Sequence, residues 1–187
     1  MSRNKNIMVA VVLIFFLATA FYMYKNKKVE QPNNNQQQQQ KSDDQNKTNT
    51  TDDQLKSQIL ELVGKANSGK KDEALMGYLN LLKDYPTNLT ILNNIAVLYN
   101  DMGDWNNSET YYKILLQAHP DYINGYRMLG YLYQYRFNDD EAKIKALFDA
   151  GIKANNNEPQ LVTWMISYYK AKGETDKALP YSQLLGN

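Results

Sequence analysis

The sequence contains no cysteine and only one histidine. Without thiols, a disulfide framework, a thiolate metal site and the cysteine of a lipoprotein anchor are all excluded. The histidine, His119, precedes Pro120 at a predicted helix end, where the helix dipole favours an imidazole without any catalytic purpose. The sequence also lacks a phosphate-binding glycine loop and a nucleophile motif. It therefore predicts no enzyme, no catalytic residues and no cofactor.

Dense clusters of metal-ligating side chains are also scarce. The one dense acidic cluster, Asp139, Asp140 and Glu141, opens a predicted helix. Carboxylates at this position commonly compensate the positive end of the helix dipole, and they rarely bind a cation. We therefore expect no metal site.

Basic charge is sparse in the larger part of the chain. Residues 52–187 contain fourteen Lys and Arg against seventeen Asp and Glu, a net charge of −3. Residues 1–51 contain seven basic and three acidic residues, a net charge of +4. A nucleic-acid surface needs a basic face that neutralises phosphates, so no nucleic-acid partner is expected.

Residues 1–24 contain a membrane-directed segment. Ile7–Tyr24 is a run of eighteen residues without a charge, about the minimum that crosses a hydrocarbon core of about 30 Å. The run predicts a single-pass transmembrane anchor, with the rest of the chain outside the cytoplasm, in the periplasm or at the cell surface. A cleavable signal peptide is the alternative, because Ala18-Thr19-Ala20 fits a cleavage site, and the protein would then be secreted.

Residues 25–51 are rich in Asn and Gln and contain almost no apolar residue. Such a segment buries too little surface to offset its ordering entropy. We expect a disordered linker that ends at Thr51, where Thr51 and Gln54 form a capping box for the first helix of the folded region.

A repeat of 34 residues organises residues 52–187. Shifting the sequence by 34 matches Tyr78 with Tyr112 and Pro86 with Pro120. Further shifts of 34 and 36 align a small residue at Ala74, Ser108, Ala142 and Ala178. The last shift is two residues longer than the others, and these two extra residues are assigned to the loop at 155–159. The predicted units are about 55–88, 89–122, 123–158 and 159–187.

Each unit has the pattern of two antiparallel helices joined by a tight turn. The small residue has a physical reason, since two helices approach closely only where a short side chain lies at their crossing. The sequence therefore predicts an all-α solenoid of about four helix-turn-helix repeats, preceded by the membrane helix and the linker. Trp105 and Trp164 are interpreted as packing anchors, and Leu179, Leu184 and Leu185 are expected to stay partly exposed.

These repeated positions resemble the tetratricopeptide repeat (TPR) family. In the second unit the resemblance rests on Leu92, Ala96, Tyr99, Ser108, Tyr112, Leu115 and Pro120. In the third unit it rests on Tyr126, Leu129, Gly130, Tyr133 and Ala142. The third unit departs from the pattern by lacking the terminal proline, and the fourth is short.

The resemblance implies a concave groove lined by the first helix of each unit. In the third unit, Tyr126, Leu129 and Tyr133 then face the core, while the opposite stripe faces the groove. By this register the predicted partner-binding residues are Asn93, Val97, Asn100, Asn124, Arg127, Tyr131, Gln134, Tyr135, Thr163, Ser167 and Lys170.

Such a surface suits a peptide or helix of another protein, because Asn bonds a backbone, Arg pairs with a carboxylate and Tyr supplies contact area. The resemblance implies a scaffold or co-chaperone, by family analogy in envelope, secretion or pilus-like complex assembly, and the run Ile7–Tyr24 would tether it to the membrane. The alternative is a structural protein whose repeats stack on another copy to form a membrane-attached homo-oligomer.

Overall fold

The structure is a computed structural model that describes residues 37–186, with side chains from residue 52 onward. The predicted membrane segment, Ile7–Tyr24, and residues 25–36 of the predicted linker lie outside the described residues. Between residues 37 and 186, no helix is both long and apolar enough to cross a membrane. Within the described residues, the chain divides into two units between Ser57 and Gln58.

The described residues form helices joined by short turns, as the repeat pattern predicts. In chain order they are α1 (Gln37–Asn67), α2 (Lys71–Asp84), α3 (Leu89–Asp101), α4 (Trp105–Ala118), α5 (Ile123–Tyr135), α6 (Glu141–Ala154), α7 (Pro159–Ala171) and α8 (Thr175–Leu184). From α2 onward each helix packs against the next, and α5 also packs against α7. These contacts place the first helices of the third and fourth units side by side.

Helix α1 begins earlier than the sequence predicts. The capping box at Thr51 does not start the helix, because α1 already includes residues 37–50. No glycine or proline interrupts residues 37–51, and Gln and Lys are good helix formers. A threonine caps a helix only where the preceding backbone leaves the helix, so here it lies in the interior. The predicted linker therefore overlaps α1 over residues 37–51.

Three of the four helix pairs close through the same three-residue turn. Gly69, Gly103 and Gly173 have φ of 85°, 80° and 75°, a left-handed conformation that glycine adopts without strain. In the second pair, the amide of Asp104 donates to the carbonyl of Tyr99 at 2.9 Å, and that of Gly103 to Asn100 at 3.0 Å. These two backbone hydrogen bonds end α3 and reverse the direction of the chain within three residues.

The third pair closes differently, and it corrects the predicted position of the two extra residues. The turn between α5 and α6 has five residues, 136–140, whereas the loop at 155–158 has the same four residues as its equivalents. Asn138 and Asp139 both have φ of 55°. Asn and Asp tolerate this conformation better than other side chains, so they extend the turn without a glycine.

The longer turn shifts the register of α6 by two residues. Ala74, Ser108 and Ala178 are buried at helix crossings as predicted, but Ala142 is exposed and Ile144 is buried in its place. Where α5 and α6 meet, the small residue lies on α5 instead, at Gly130. A Cβ atom built on Gly130 would lie 2.5 Å from Cε2 of Phe148, so only glycine fits beneath this ring.

The core runs continuously through the second to fourth units. Tyr126, Leu129 and Tyr133 are buried in it, which confirms the predicted inward face of α5. Ser108 is the one buried polar residue of the described core, and its hydroxyl donates to the carbonyl of Ala96 at 2.9 Å. The one polar side chain buried at the close crossing of α3 and α4 therefore has a hydrogen-bond partner.

A network of four charged residues joins the third unit to the fourth. Lys172 Nζ donates to Asp139 at 2.7 Å and to Glu141 at 3.3 Å, and Lys177 Nζ donates to Glu141 at 2.6 Å. The hydroxyl of Tyr168 also donates to Asp139 at 2.8 Å. The predicted acidic cluster thus acts mainly through ion pairs, while Asp140 caps α6 by accepting from the amide of Lys143 at 3.1 Å.

Acid should weaken this network. Burial opposes ionisation of Asp139, but the hydrogen bonds from Lys172 and Tyr168 outweigh it and lower the pKa below its usual 3.8. The hydrogen bond from Lys177 lowers the pKa of Glu141 below its usual 4.5. Since both values are lower in the folded state, the contribution is complete above about pH 5 and is lost as the pH falls below about 4.

Thermal unfolding at about pH 7 and about pH 3.5 tests this expectation. The Asp139→Asn, Glu141→Gln variant should lose less stability between the two conditions than the wild type, because it has fewer carboxylates to protonate. Asp84→Asn, which removes an exposed carboxylate outside the network, is the control. An equal loss in the wild type and the double variant would contradict the role of the network.

Candidate functional site

A cavity of about 590 Å³ lies between α5 and α7. Helix α5 contributes Arg127, Tyr131, Gln134 and Tyr135. They share one stripe because Tyr131 lies four residues after Arg127, and Gln134 and Tyr135 lie three and four residues after Tyr131. Helix α7 contributes the other wall, with Pro159, Gln160, Thr163, Trp164, Ser167, Tyr168 and Ala171. The side-by-side packing of these two helices therefore creates the cavity.

Stacked aromatic rings line this cavity and connect it to the core. Phe148, which is fully buried, stacks on Trp164 with ring centroids 4.0 Å apart and planes inclined by 12°. Trp164 meets the edge of Tyr131 at 5.9 Å, and Tyr131 stacks on Tyr135 at 6.1 Å. Tyr131 is 38% exposed and Tyr135 is 67% exposed. The outermost rings thus present apolar surface to solvent from a rigid base.

A second cavity of about 350 Å³ adjoins the first. Its lining comes from α3, α4, α5 and the turn that follows α5, and comprises Asn100, Tyr112, Met128, Tyr131, Leu132, Tyr135 and Arg136. Tyr131 and Tyr135 line both cavities, so they form the wall between them. We refer to the two cavities with these linings as the aromatic groove.

Seven of the eleven predicted groove residues line the aromatic groove. Arg127, Tyr131, Gln134, Tyr135, Thr163 and Ser167 line the first cavity, and Asn100 lines the second. The other four lie outside both linings: Asn93 and Val97 are half-buried on α3, and Asn124 and Lys170 are exposed on α5 and α7. Asn124 contacts the groove indirectly, because its side chain accepts a hydrogen bond from Arg127 at 3.2 Å.

Sequence reasoning missed several residues of the aromatic groove. Trp164 was expected to be a packing anchor, and it does pack on Phe148, but it also lines the first cavity. Tyr112 and Arg136 come from the second helix of a unit and from a turn, so a register based on first helices alone could not include them. Arg136 carries a usable signal, since it is one of only two arginines in residues 52–187.

The charge of the aromatic groove is entirely positive. Arg127 lines the first cavity and Arg136 the second, and neither lining contains an aspartate or glutamate. Within residues 52–186, every described ion pair involves a lysine, so neither arginine has a carboxylate partner there. The guanidinium of Arg136 instead lies 5.4 Å from the ring centre of Trp105.

The described residues offer little else that could support chemistry. Among them, no group of three metal-ligating side chains converges on one point. His119 is the C-cap residue that follows α4. Its Nε2 atom lies 2.6 Å from the carbonyl oxygen of Thr87, so it links the loop before α3 to the loop after α4. That contact gives the single histidine a structural role.

Comparison with known families supports the repeat assignment. The family model described as "Tetratricopeptide repeat" matches residues 94–122, which cover most of α3 and all of α4. Residues 94–122 therefore contain a tetratricopeptide repeat. Tetratricopeptide-repeat proteins are generally non-enzymatic, and the fold suggests a scaffold for protein–protein interaction. No curated protein matches the sequence.

Two solved structures have a fold similar to that of this chain. A tetratricopeptide repeat protein from Parabacteroides merdae is 23% identical with a TM-score of 0.53, and the match covers 69% of this chain and 50% of that one. A MamA protein is 22% identical with a TM-score of 0.52, and 69% of each chain is covered. At these identities the similarity establishes the fold alone, and this chain matches only half the length of the first protein.

Proposed function

We propose that this tetratricopeptide-repeat protein is a membrane-tethered scaffold that binds a segment of a partner protein in the aromatic groove. The observation that carries the proposal is the convergence of Arg127, Tyr131, Gln134 and Tyr135 with Trp164 on one solvent-open cavity. A soluble surface rarely keeps large aromatic side chains exposed next to one another without a binding role.

The aromatic groove suits an extended segment. Tyr131 divides it into two adjoining cavities, and side chains on one face of an extended chain recur at every second residue. Gln134, Thr163 and Ser167 can donate to and accept from the backbone of the bound segment. The rings lose little conformational entropy on binding because they already stack on a buried base.

The proposal includes an attachment to the membrane through Ile7–Tyr24. With this topology the repeats lie outside the cytoplasm, and the residues that follow the anchor hold them near the membrane surface. The protein would then recruit or hold a partner during assembly of an envelope, secretion or pilus-like complex. This part rests on the apolar run and on the properties of the family.

The groove can be tested with a random dodecapeptide library panned on the full chain in detergent. The strongest binder should lose about tenfold or more affinity with Tyr135→Ala and with Tyr131→Ala, since each removes most of an interface aromatic ring. Met76→Ala is the matched control, because Met76 is 66% exposed on α2 and lies outside both cavities. Failure to select any binder, or equal affinity for all variants, would contradict the proposed function.

Self-assembly is the second candidate, and exposed leucines on the last helix favour it. Leu179 is 57% exposed on α8, and Leu185, which follows α8, is 46% exposed. Concentration-dependent sedimentation of the full chain that Leu179→Glu abolishes would support this candidate. A species of constant size at all concentrations would exclude it.

A further inference from the structure

The hydroxyl of Tyr112 is buried without a partner. Tyr112 is 1% exposed and lines the second cavity of the aromatic groove, and its hydroxyl has no hydrogen bond within residues 52–186. Leaving a buried polar group unsatisfied is costly, so a donor in this position needs a reason. Burial also raises the pKa of this hydroxyl, which keeps it protonated and able to donate.

The equivalent tyrosine one repeat earlier has the partners that Tyr112 lacks. Tyr78, 34 residues before Tyr112, donates its hydroxyl to the carbonyl of Ile59 at 3.3 Å and accepts from Asn94 Nδ2 at 3.0 Å. The residue 34 positions after Asn94 is Met128, whose thioether replaces the amide and lines the second cavity. The second unit therefore lacks, beside the second cavity, a hydrogen bond that the first unit has.

The charges around this cavity favour an anion. Arg136 and the amide of Asn100 join Tyr112 in its lining, so three side chains can donate hydrogen bonds there. The carboxylate of Asp101 acts on the Tyr112 hydroxyl and raises its pKa, but it lies outside the lining and already pairs with Lys71 Nζ at 3.6 Å. A carboxylate is the acceptor that best matches a guanidinium beside a neutral hydroxyl donor.

We infer that the segment bound in the aromatic groove is acidic, and that one of its carboxylates enters the second cavity and accepts hydrogen bonds from Tyr112 and Arg136. This inference rests on the proposed function and specifies the chemistry of the partner. A neighbouring apolar side chain of the same segment fills the cavity beside Trp164, and Arg127 faces further acidic residues. The otherwise acidic repeat region thus binds an acidic partner only where its two arginines are placed.

The peptides selected by the dodecapeptide library provide the test. They should be enriched in Asp or Glu next to an apolar residue, and changing the required acid to its amide should lower affinity for the full chain about tenfold or more. Arg136→Gln should cause a similar loss. Lys153→Gln is the matched control, because it removes one exposed positive charge on α6 away from both cavities, and it should change affinity less than about twofold.

Tyr112→Phe separates a binding role from a structural one. It removes only the hydroxyl without a partner, so the melting temperature should stay the same or rise, while affinity for the acidic peptide falls about tenfold. A purely structural tyrosine would not produce this combination. Tyr112→Phe should lower the affinity for the amide form of the peptide less than for the acid form, because an amide oxygen accepts a weaker hydrogen bond than a carboxylate.

Two outcomes separate this inference from the proposed function. The first outcome is a set of peptides that need Tyr135 but carry no acid, and that bind Arg136→Gln and Tyr112→Phe as tightly as the wild type. This outcome overturns the inference and leaves the groove function intact. Peptides whose binding does not depend on Tyr135, or the absence of any binder, overturn the groove function itself.

Discussion

Phe148→Ala is expected to lower the free energy of unfolding by about 3–5 kcal/mol and to abolish peptide binding in the aromatic groove. Phe148 is fully buried on α6, and its ring stacks on Trp164 at 4.0 Å. Truncation leaves a cavity beneath Trp164, and the stacked rings above it lose their base. The effect is large because one side chain supports both the core and the groove.

Chemical denaturation and peptide titration at a temperature where the variant is folded measure the two effects separately. Phe148→Leu is the matched control, since it retains most of the volume and should cost less than the alanine variant. It should also weaken peptide binding, because the flat stacking surface for Trp164 is lost. A loss below about 1 kcal/mol for Phe148→Ala would contradict the packing described for this core position.

Gly130→Ala is expected to destabilise the protein by about 1–3 kcal/mol, through overpacking. The added Cβ atom would lie 2.5 Å from Cε2 and 2.9 Å from Cζ of Phe148, and 3.3 Å from Cζ2 of Trp164. Neither ring can move without disturbing the stack that lines the groove. The substitution should therefore weaken peptide binding as well as folding.

The same substitution at Gly64 provides a control of opposite sign. Gly64 lies inside α1, and a Cβ atom added there meets no atom within 4 Å. Gly64→Ala should therefore stabilise by about 0.5–1 kcal/mol through helix propensity alone. Thermal and denaturant unfolding of both variants measures the difference, and a gain at Gly130 equal to that at Gly64 would contradict the close approach of α5 and α6.

The repeat period made most of the fold predictable from the sequence. The matches of Tyr78 with Tyr112 and of Pro86 with Pro120 place helices at fixed spacings, and the helix pairs follow from that period. The register of α6 was not predictable in the same way. The sequence aligns Ala142 with the small residues of the other units. In the structure, however, the two extra residues lie in the turn before α6, where Asn138 and Asp139 tolerate a positive φ.

The aromatic groove was predictable only where it follows helical periodicity. Arg127, Tyr131 and Tyr135 recur every four residues, so their common face follows from the sequence. The second cavity depends on packing between repeats, which no single helix reveals. Comparing positions 34 residues apart pairs Asn94 with Met128, but only the structure shows that Asn94 bonds Tyr78 and that Tyr112 lacks the equivalent partner.

Site-specific photo-crosslinking in cells that produce the protein tests the central claim most directly. A photoreactive benzoylphenylalanine in place of Tyr135 should crosslink one partner protein through a segment that contains acidic residues, whereas the same group in place of Met76 should not capture that protein. Crosslinking of the same proteins from both positions, or of further copies of this chain alone at Tyr135, would contradict partner binding in the aromatic groove.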